Sequence, residues 1–299
     1  MKKEPGVYPG VSFDEYASWD AVNHSKLVGF KDTPAHAREL FLYEKPSTPA
    51  KEFGWLSHLA VLEPDRLWRE AVIRPDVDGR TKDGKPVLDA FKETLKKGGA
   101  NEGKKVITGE QRQKLQTITA NALAHDTARE YLTGPGQNEM SLVWRDKETE
   151  LLCKARLDRI ALVSKLPGVS DLKPSSERFM IAIDFKTMGE VATLRNFESN
   201  LLKFNYASAA AMYLEGLSAI FPAPELRPFV WIVAETDAPH LVRLFMPSPD
   251  LLEWGFQRWH GWLRQYAECL RTESWPGWDP GIEEASLPAW AAKVWEMAL

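Results

Sequence analysis

The most constraining feature of this chain is a pair of apolar strands that each carry an acid. The first strand runs from Cys153 to Val163. Side chains alternate between the two faces of a strand, so Lys154, Arg156 and Asp158 are predicted to share one face, opposite a row of apolar residues.

The second strand ends in Ile183-Asp184-Phe185-Lys186. The same alternation places Asp184 and Lys186 on one face and directs Phe185 toward the core. If the two strands pair, both carboxylates and the lysine converge. A divalent cation is the usual remedy for the repulsion between two carboxylates about 4–6 Å apart.

The carboxylate-x-Lys tripeptide has little specificity by itself, because it occurs four times in the chain. The occurrences are Asp83-Gly84-Lys85, Glu102-Gly103-Lys104, Asp171-Leu172-Lys173 and Asp184-Phe185-Lys186. Only the fourth ends a buried-strand pattern. A simple ion pair at a strand end is the alternative interpretation of Asp184 and Lys186.

The arrangement resembles the PD-(D/E)xK nuclease superfamily, with Asp158 and Asp184 as its two acids and Lys186 as its lysine. It is most similar to RecE-type (exodeoxyribonuclease VIII) and lambda-type phage exonucleases and to the RecB nuclease domain. In these, Asp-x-Lys-Thr follows a hydrophobic strand. The resemblance implies an α/β fold with a restriction-endonuclease-like αβββαβ core. Its mixed central sheet is flanked by helices, and a helical N-terminal region precedes it.

The resemblance also implies a metal site. Asp158, Asp184 and the backbone carbonyl of Phe185 would bind Mg²⁺, for which Mn²⁺ can substitute, and Lys186 would orient the attacking water. Gly54 and His58, on a helix predicted over residues 51–64, match a Gly-x-x-x-His motif that supplies a metal-binding histidine. The small residue one turn before the histidine lets that helix lie close against the sheet. Glu139 matches an acid at the start of the first strand. The alternatives are a buried core histidine and an exposed strand-start residue.

Several residues are candidate DNA contacts. Lys154 and Arg156 share the face of the acids and could hold phosphates. Ser25 and Lys26 lie in a Ser-x-Leu segment resembling one near the DNA end in RecE-like nucleases, although a plain helix cap also explains them. Tyr213 matches the tyrosine of a Gln-x-x-x-Tyr pattern whose glutamine position is Ala209 here.

Two other segments have open interpretations. Tyr206 is expected to pack in the core. The Gly- and Lys-rich segment 75–107, which includes Arg80–Lys85, is either a solvated loop or a basic flap over DNA. A helix is predicted near Leu88–Lys97 within it.

Length favours one compact core with an accessory region, and the resemblance implies that they form a single nuclease domain over residues 1–299. It would comprise a helical accessory region with a flexible basic loop (1–107), a catalytic core (108–271) and a Trp-rich tail (272–299). Two cysteines argue against a disulfide framework. No signal peptide or membrane span is apparent, so a cytoplasmic location without membrane association is expected.

The resemblance implies a metal-dependent exodeoxyribonuclease. It would digest linear double-stranded DNA processively from 5′ to 3′ and leave 3′ overhangs for phage-type recombination. The formal net charge of −4 is unusual for a DNA enzyme, so basic groups must be concentrated in one channel. Expected partners are duplex ends and copies of the chain in a trimeric or tetrameric ring, with a single-strand annealing protein as a further candidate. The alternatives are a RecB-like or restriction-type endonuclease and a catalytically idle DNA-binding or scaffold module.

Overall fold

The computed structural model describes residues 2–43, 46–163, 179–221 and 228–287. The strands are β1 (Gly6–Tyr8), β2 (Ala71–Ile73), β3 (Lys105–Ile107), β4 (Gly136–Arg145), β5 (Leu152–Val163), β6 (Phe179–Met188), β7 (Phe229–Glu235) and β8 (Val242–Phe245). The helices are α1 (Phe13–Ala17), α2 (His24–Leu27), α3 (Pro34–Leu42), α4 (Pro49–Leu62), α5 (Pro64–Glu70), α6 (Gly84–Leu95), α7 (Gly109–Ala124), α8 (Asp126–Thr133), α9 (Leu194–Lys203), α10 (Tyr206–Ile220) and α11 (Pro249–Thr272).

Six strands form the central sheet in the order β1-β4-β5-β6-β7-β8. Strands β4, β5 and β6 form an antiparallel meander, and β7 lies parallel to β6 after the crossover through α9 and α10. This arrangement confirms the predicted αβββαβ core and mixed sheet. Strand β1 and the small parallel pair β2–β3 were not predicted, because three residues are too few to show a period.

Helices cover both faces of the sheet. Helix α10 packs closely on one face, since a Cβ atom on Gly216 would lie 2.8 Å from the Trp144 ring. Helix α11 crosses α10 at Gly255, where a Cβ atom would lie 2.4 Å from the Ala207 carbonyl. Helices α4, α7 and α8 contribute to the core on the opposite face, where Phe185 is buried as predicted.

The pleat of strands β4 and β5 changes phase at one matched point. Met140 pairs with Leu157, and both contribute to the core beneath α10. Asn138 pairs with Arg159, and both bond to groups on the opposite face. The two residues between these pairs are Glu139 and Asp158, and Glu139 has a left-handed backbone with φ of +53°. Each strand therefore carries one extra residue here.

Some predicted boundaries were wrong. The helix expected over 108–133 divides at His125, whose backbone is extended and whose side chain caps α8. Helix α6 begins at Gly84 instead of Leu88. Strand β4 begins at Gly136, which makes Glu139 its fourth residue.

The described part of the C-terminal tail packs against the N-terminal helices. The ring centroid of Trp275 lies 6.1 Å from that of Phe30 and 6.0 Å from that of Tyr266. Trp290 and Trp295 lie outside the described residues. Within the described ranges, no helix combines the length and apolar character needed to cross a bilayer.

Candidate active site

The predicted acids lie where strands β5 and β6 separate. The hydrogen-bonded pairing of these strands ends at Arg159 and Ile183. Beyond that point Asp158 Oδ2 accepts a hydrogen bond of 2.8 Å from the Phe185 N–H. A side chain thus replaces the next ladder contact, and a cleft of about 1560 Å³ opens beside it.

Asp184 and Lys186 form a tight pair on the wall of this fork. Lys186 Nζ lies 2.5 Å from each Asp184 oxygen, and Asp184 is only 6% exposed. Burial raises the pKa of Asp184 to about 6, and the nearby Asp158 carboxylate adds to this shift while Lys186 opposes it. Burial would lower the pKa of Lys186, but the two carboxylates outweigh it and raise that pKa.

His58 lies between two carboxylates. Its Nε2 atom is 3.2 Å from Asp158 Oδ1 and 3.3 Å from Glu139 Oε1. Burial would lower the pKa of His58, but Asp158 and Glu139 outweigh burial and raise it. The pKa of Asp158 is lowered instead. Burial opposes the ionisation of this carboxyl, but His58 and Lys186 outweigh burial and hold its pKa well below the usual range. The two acids therefore favour the protonated form of the His58 imidazole that lies between them.

Helix α4 can bring His58 to the fork because residue 54 is glycine. A Cβ atom on Gly54 would lie 3.2 Å from Thr187 Oγ1, at the end of the Asp184–Thr187 segment. This separation is tighter than ordinary van der Waals contact. The close approach agrees with the role inferred for Gly54 from the sequence.

Glu63 joins the cluster and was missed in the sequence, where Glu63-Pro64 indicates only the end of a helix. One ligand atom each from His58, Glu63 and Glu139 lies within 4.8 Å of the others. Carboxylate oxygens and one imidazole nitrogen suit a divalent cation such as Mg²⁺ or Mn²⁺. By the chemistry of its donors, the cluster fits the expected metal.

A family model described as a PDDEXK-like domain of unknown function (DUF3799) matches residues 23–283. The chain belongs to this PDDEXK-like family. No curated protein matches it. A solved crystal structure, described as that of a "Putative exonuclease" from Eubacterium rectale, is similar over 95% of this chain and 98% of its own, with a TM-score of 0.56. At 13% identity, this similarity shows a common fold.

Of the basic residues predicted to contact DNA in this PDDEXK-like domain, Lys154 is buried and bonded within the protein. Lys154 is 4% exposed, and its ammonium donates hydrogen bonds to the carbonyls of Tyr16, Ala17 and Trp19 at 2.8–3.1 Å. Burial lowers the pKa of Lys154 to about 8. The expectation that Lys154 holds a phosphate is thereby corrected, since its donors bind carbonyls at the end of α1 and at Trp19.

Arg156 remains a candidate phosphate ligand. Its Nε and Nη2 atoms pair with Glu139, and its guanidinium lies 5.6 Å from the Phe13 ring centroid. The buried Nη1 atom has no hydrogen-bond partner among the described residues. Arg156 lines the cleft, so a shift of its side chain would bring this unused donor to a bound anion.

Ser25 and Lys26 have different surroundings, because only Ser25 lines the cleft. Ser25 is exposed at the cleft, where its hydroxyl donates to Asn23 Oδ1 at 3.1 Å. The Lys26 ammonium instead binds the Leu40 carbonyl and does not line the cleft, so its predicted phosphate contact is corrected. Arg80, from the predicted basic flap, is paired with Asp78 at 3.0 Å and is likewise absent from the cleft lining.

The aromatic residues on α10 lie closer to the acids than expected. Tyr213 lines the cleft, and burial raises its pKa well above the usual value, with Asp184 and Asp158 adding to the shift. Tyr206 packs against the edge of the core, as expected. It also lines the cleft, with its ring centroid 5.4 Å from Lys186 Nζ. The sequence did not indicate a role for His24, which lines the same cleft. Burial and, to a smaller extent, the charge of Lys186 lower the pKa of His24 to about 4.

Proposed function

We propose that the chain is a divalent-metal-dependent exodeoxyribonuclease. It would act on the ends of linear double-stranded DNA, digest the 5′-ended strand processively and leave a 3′ overhang for recombination. The observation that carries the proposal is the meeting of Asp158, Asp184, Lys186 and His58 at the fork between β5 and β6. This is an acid–lysine cluster in an open cleft of a PDDEXK-like fold.

The charge of the cleft supports a polyanionic substrate. Six cationic side chains line its outer wall: Lys51, Arg66, Arg69, Lys104, Lys105 and Lys114. Three of these side chains form salt bridges within the chain. Arg66 pairs with Glu63 and Glu70, Lys105 pairs with Glu52, and Lys114 pairs with Glu110.

We call the other three, Lys51, Arg69 and Lys104, the cationic wall. Among the described residues, no carboxylate lies within salt-bridge distance of them. Their charge is free for phosphates, even though the whole chain is acidic.

The position of the cationic wall suits a strand that leads into the fork. Lys51 and His58 lie on one face of α4, seven residues apart, or about 10 Å along the helix axis. DNA advances about 3.4 Å per nucleotide along its axis. Lys51 would therefore contact a phosphate about three nucleotides from the one being cut.

The roles of the site residues follow from their contacts. Asp158, Asp184, Glu139, Glu63, His58 and the Phe185 carbonyl are the groups that would hold the metal. When bound, a divalent cation supplies Lewis acidity and lowers the pKa of water. The Lys186 ammonium would orient the attacking water and donate to charge that develops on the phosphate. The Arg156 guanidinium would hold a non-bridging phosphate oxygen.

The deciding experiment is digestion of linear duplex labelled at either the 5′ or the 3′ end, with a circular duplex of the same sequence as the control. We expect labelled mononucleotide from the 5′ end, a persistent 3′-labelled strand and an intact circle, all dependent on Mg²⁺ or Mn²⁺. Cleavage of the circle would identify an endonuclease. Absence of cleavage under all conditions, with retained DNA binding, would identify an idle binding module.

A further inference from the structure

Two aromatic rings form a stack beside the candidate catalytic lysine. The ring centroids of Phe204 and Tyr206 lie 5.6 Å apart with an angle of 27° between the planes. Both residues line the cleft, and Lys186 Nζ lies 5.4 Å from the Tyr206 ring centroid. The stack therefore begins at the reaction centre and extends outward to Phe204.

The backbone between the rings is held in an unusual conformation. Asn205 separates the two residues, is buried and has a left-handed backbone with φ of +57°. Asparagine is one of the few residues that tolerate this conformation. Its carbonyl accepts from Ser208 Oγ at 2.9 Å, which ties it to the first turn of α10. The geometry of the stack is thus fixed before any ligand binds.

Phe204 is more exposed than its size and surroundings require. Its side chain is 48% exposed inside the cleft. Scattered exposed apolar residues are normal on a protein surface. This ring differs because it prolongs a stack that reaches Lys186. The other described contact of its ring is the ammonium of exposed Lys203, 5.2 Å from the ring centroid.

We infer that Phe204 and Tyr206 form a stacking platform for a nucleobase of the substrate strand. The inference rests on the proposed nuclease function. It adds a base-binding site next to the scissile phosphate, within about two nucleotides of it. Base stacking on an aromatic ring is stronger than an exposed cation–π contact, so a base displaces Lys203 from the ring. The Lys203 ammonium is then free to contact a neighbouring phosphate.

The platform is tolerant of sequence, because every base has a flat π face. The platform binds the base of the nucleotide at the fork, in addition to the contacts that the site makes with its phosphate. The ligand class is therefore a nucleotide with its base, and an abasic sugar phosphate should bind more weakly at that position.

The test uses the full chain carrying Asp184→Asn, which prevents cleavage. Each of the first four nucleotides from the end of either strand of a linear duplex is replaced in turn by an abasic site, and binding is measured by fluorescence anisotropy. We expect one position at which base loss weakens binding by about 5- to 100-fold. Adding Phe204→Ala should abolish this difference, and Phe204→Trp should retain it. Leu202→Ala changes an exposed apolar residue in the last turn of α9, two residues before Phe204, and should leave the difference unchanged.

A fluorescent base gives an independent reading. We expect 2-aminopurine at the sensitive position to be quenched on binding by the Asp184→Asn chain and by Phe204→Trp, but not by Phe204→Ala. Unchanged abasic discrimination in a Phe204→Ala chain that melts like the Leu202→Ala chain would overturn the platform alone. No DNA binding by the Asp184→Asn or wild-type chain would overturn the proposed function and the platform together.

Discussion

A Cβ atom on Gly54 would lie 3.2 Å from Thr187 Oγ1, so helix α4 and strand β6 meet more closely than an added methyl group would ordinarily permit. His58 lies one helical turn after Gly54. Its distance from the acids therefore depends on this contact.

We predict that Gly54→Ala moves α4 away from β6 by a few tenths of an ångström and weakens Mn²⁺ binding by about tenfold, because small displacements of site groups are costly. Thr187→Ala removes the obstructing hydroxyl, so the double variant should recover most of the affinity. Gly261→Ala is the matched control, since its added methyl group would contact nothing within 4 Å. Calorimetric titration with Mn²⁺ measures the effect. Wild-type affinity in Gly54→Ala would contradict the account.

Loss of the paired acid or lysine should remove cleavage while the fold persists. We predict that Lys186→Met slows cleavage by about 10²–10³, the usual cost of losing a donor to developing charge. Asp184→Asn should reduce it further because it removes a metal ligand. Circular dichroism and thermal melting provide the control for folding. Cleavage at the wild-type rate in either variant would rule out the assigned roles.

The metal affinity should depend on pH in a defined direction. Asp184 has a pKa of about 6, and metal binding requires the ionised carboxylate. Affinity should fall about tenfold per pH unit below pH 6, and more steeply where His58, whose pKa is also raised, must lose a proton. Titration calorimetry between pH 5 and pH 8, in buffers of different ionisation enthalpy, measures both the affinity and the protons released. A flat profile across pH 6 would refute this prediction.

The same shift predicts a pH dependence of stability without metal. The pKa of Asp184 is higher in the folded state, so this carboxyl stabilises the fold below about pH 4, and the contribution is lost as the pH rises through 6. The melting temperature of the metal-free wild type should therefore fall more between pH 4 and pH 8 than that of Asp184→Asn, which cannot ionise at this position. Melting curves at the two pH values, recorded with a chelator, provide the comparison.

The cationic wall should contribute to DNA affinity through phosphates. We predict that Lys51→Ala and Lys104→Ala each reduce the slope of log binding constant against log salt concentration by about one, for all sequences alike. Lys97 is an exposed lysine that does not line the cleft, so Lys97→Ala is the control. Equal slopes in all three variants would place the DNA elsewhere.

Processive digestion by an acidic protein calls for enclosure of the DNA. We predict a closed homo-oligomer, a trimer or tetramer, in which the cationic wall of each subunit faces one channel. Light scattering at micromolar concentration should give a multiple of about 34 kDa. A strict monomer that digests long duplexes without dissociating would exclude the ring.

The sequence was sufficient to predict the meander and the meeting of its acids, because apolar strands that each carry an acid are local signals. It did not reveal that the alternation changes phase at Glu139 and Asp158. It could not identify the internal partners of Lys154, since the carbonyls of Tyr16, Ala17 and Trp19 lie more than 130 residues away along the chain. Phe204 and Tyr206 gave no signal either. Their stacking depends on the left-handed backbone of Asn205, which helical periodicity does not reveal.

The extra residues Glu139 and Asp158 make the lengths of strands β4 and β5 interdependent. Deleting one residue from either strand alone would move each side chain beyond the deletion to the opposite face of the sheet. Deleting both together would leave Asn138–Arg159 next to Met140–Leu157 in regular alternation. Such a double deletion should yield a well-folded hairpin without the acids. The hairpin is therefore expected to tolerate shortening by matched pairs only, and its shortest regular form would lack two acids of the site.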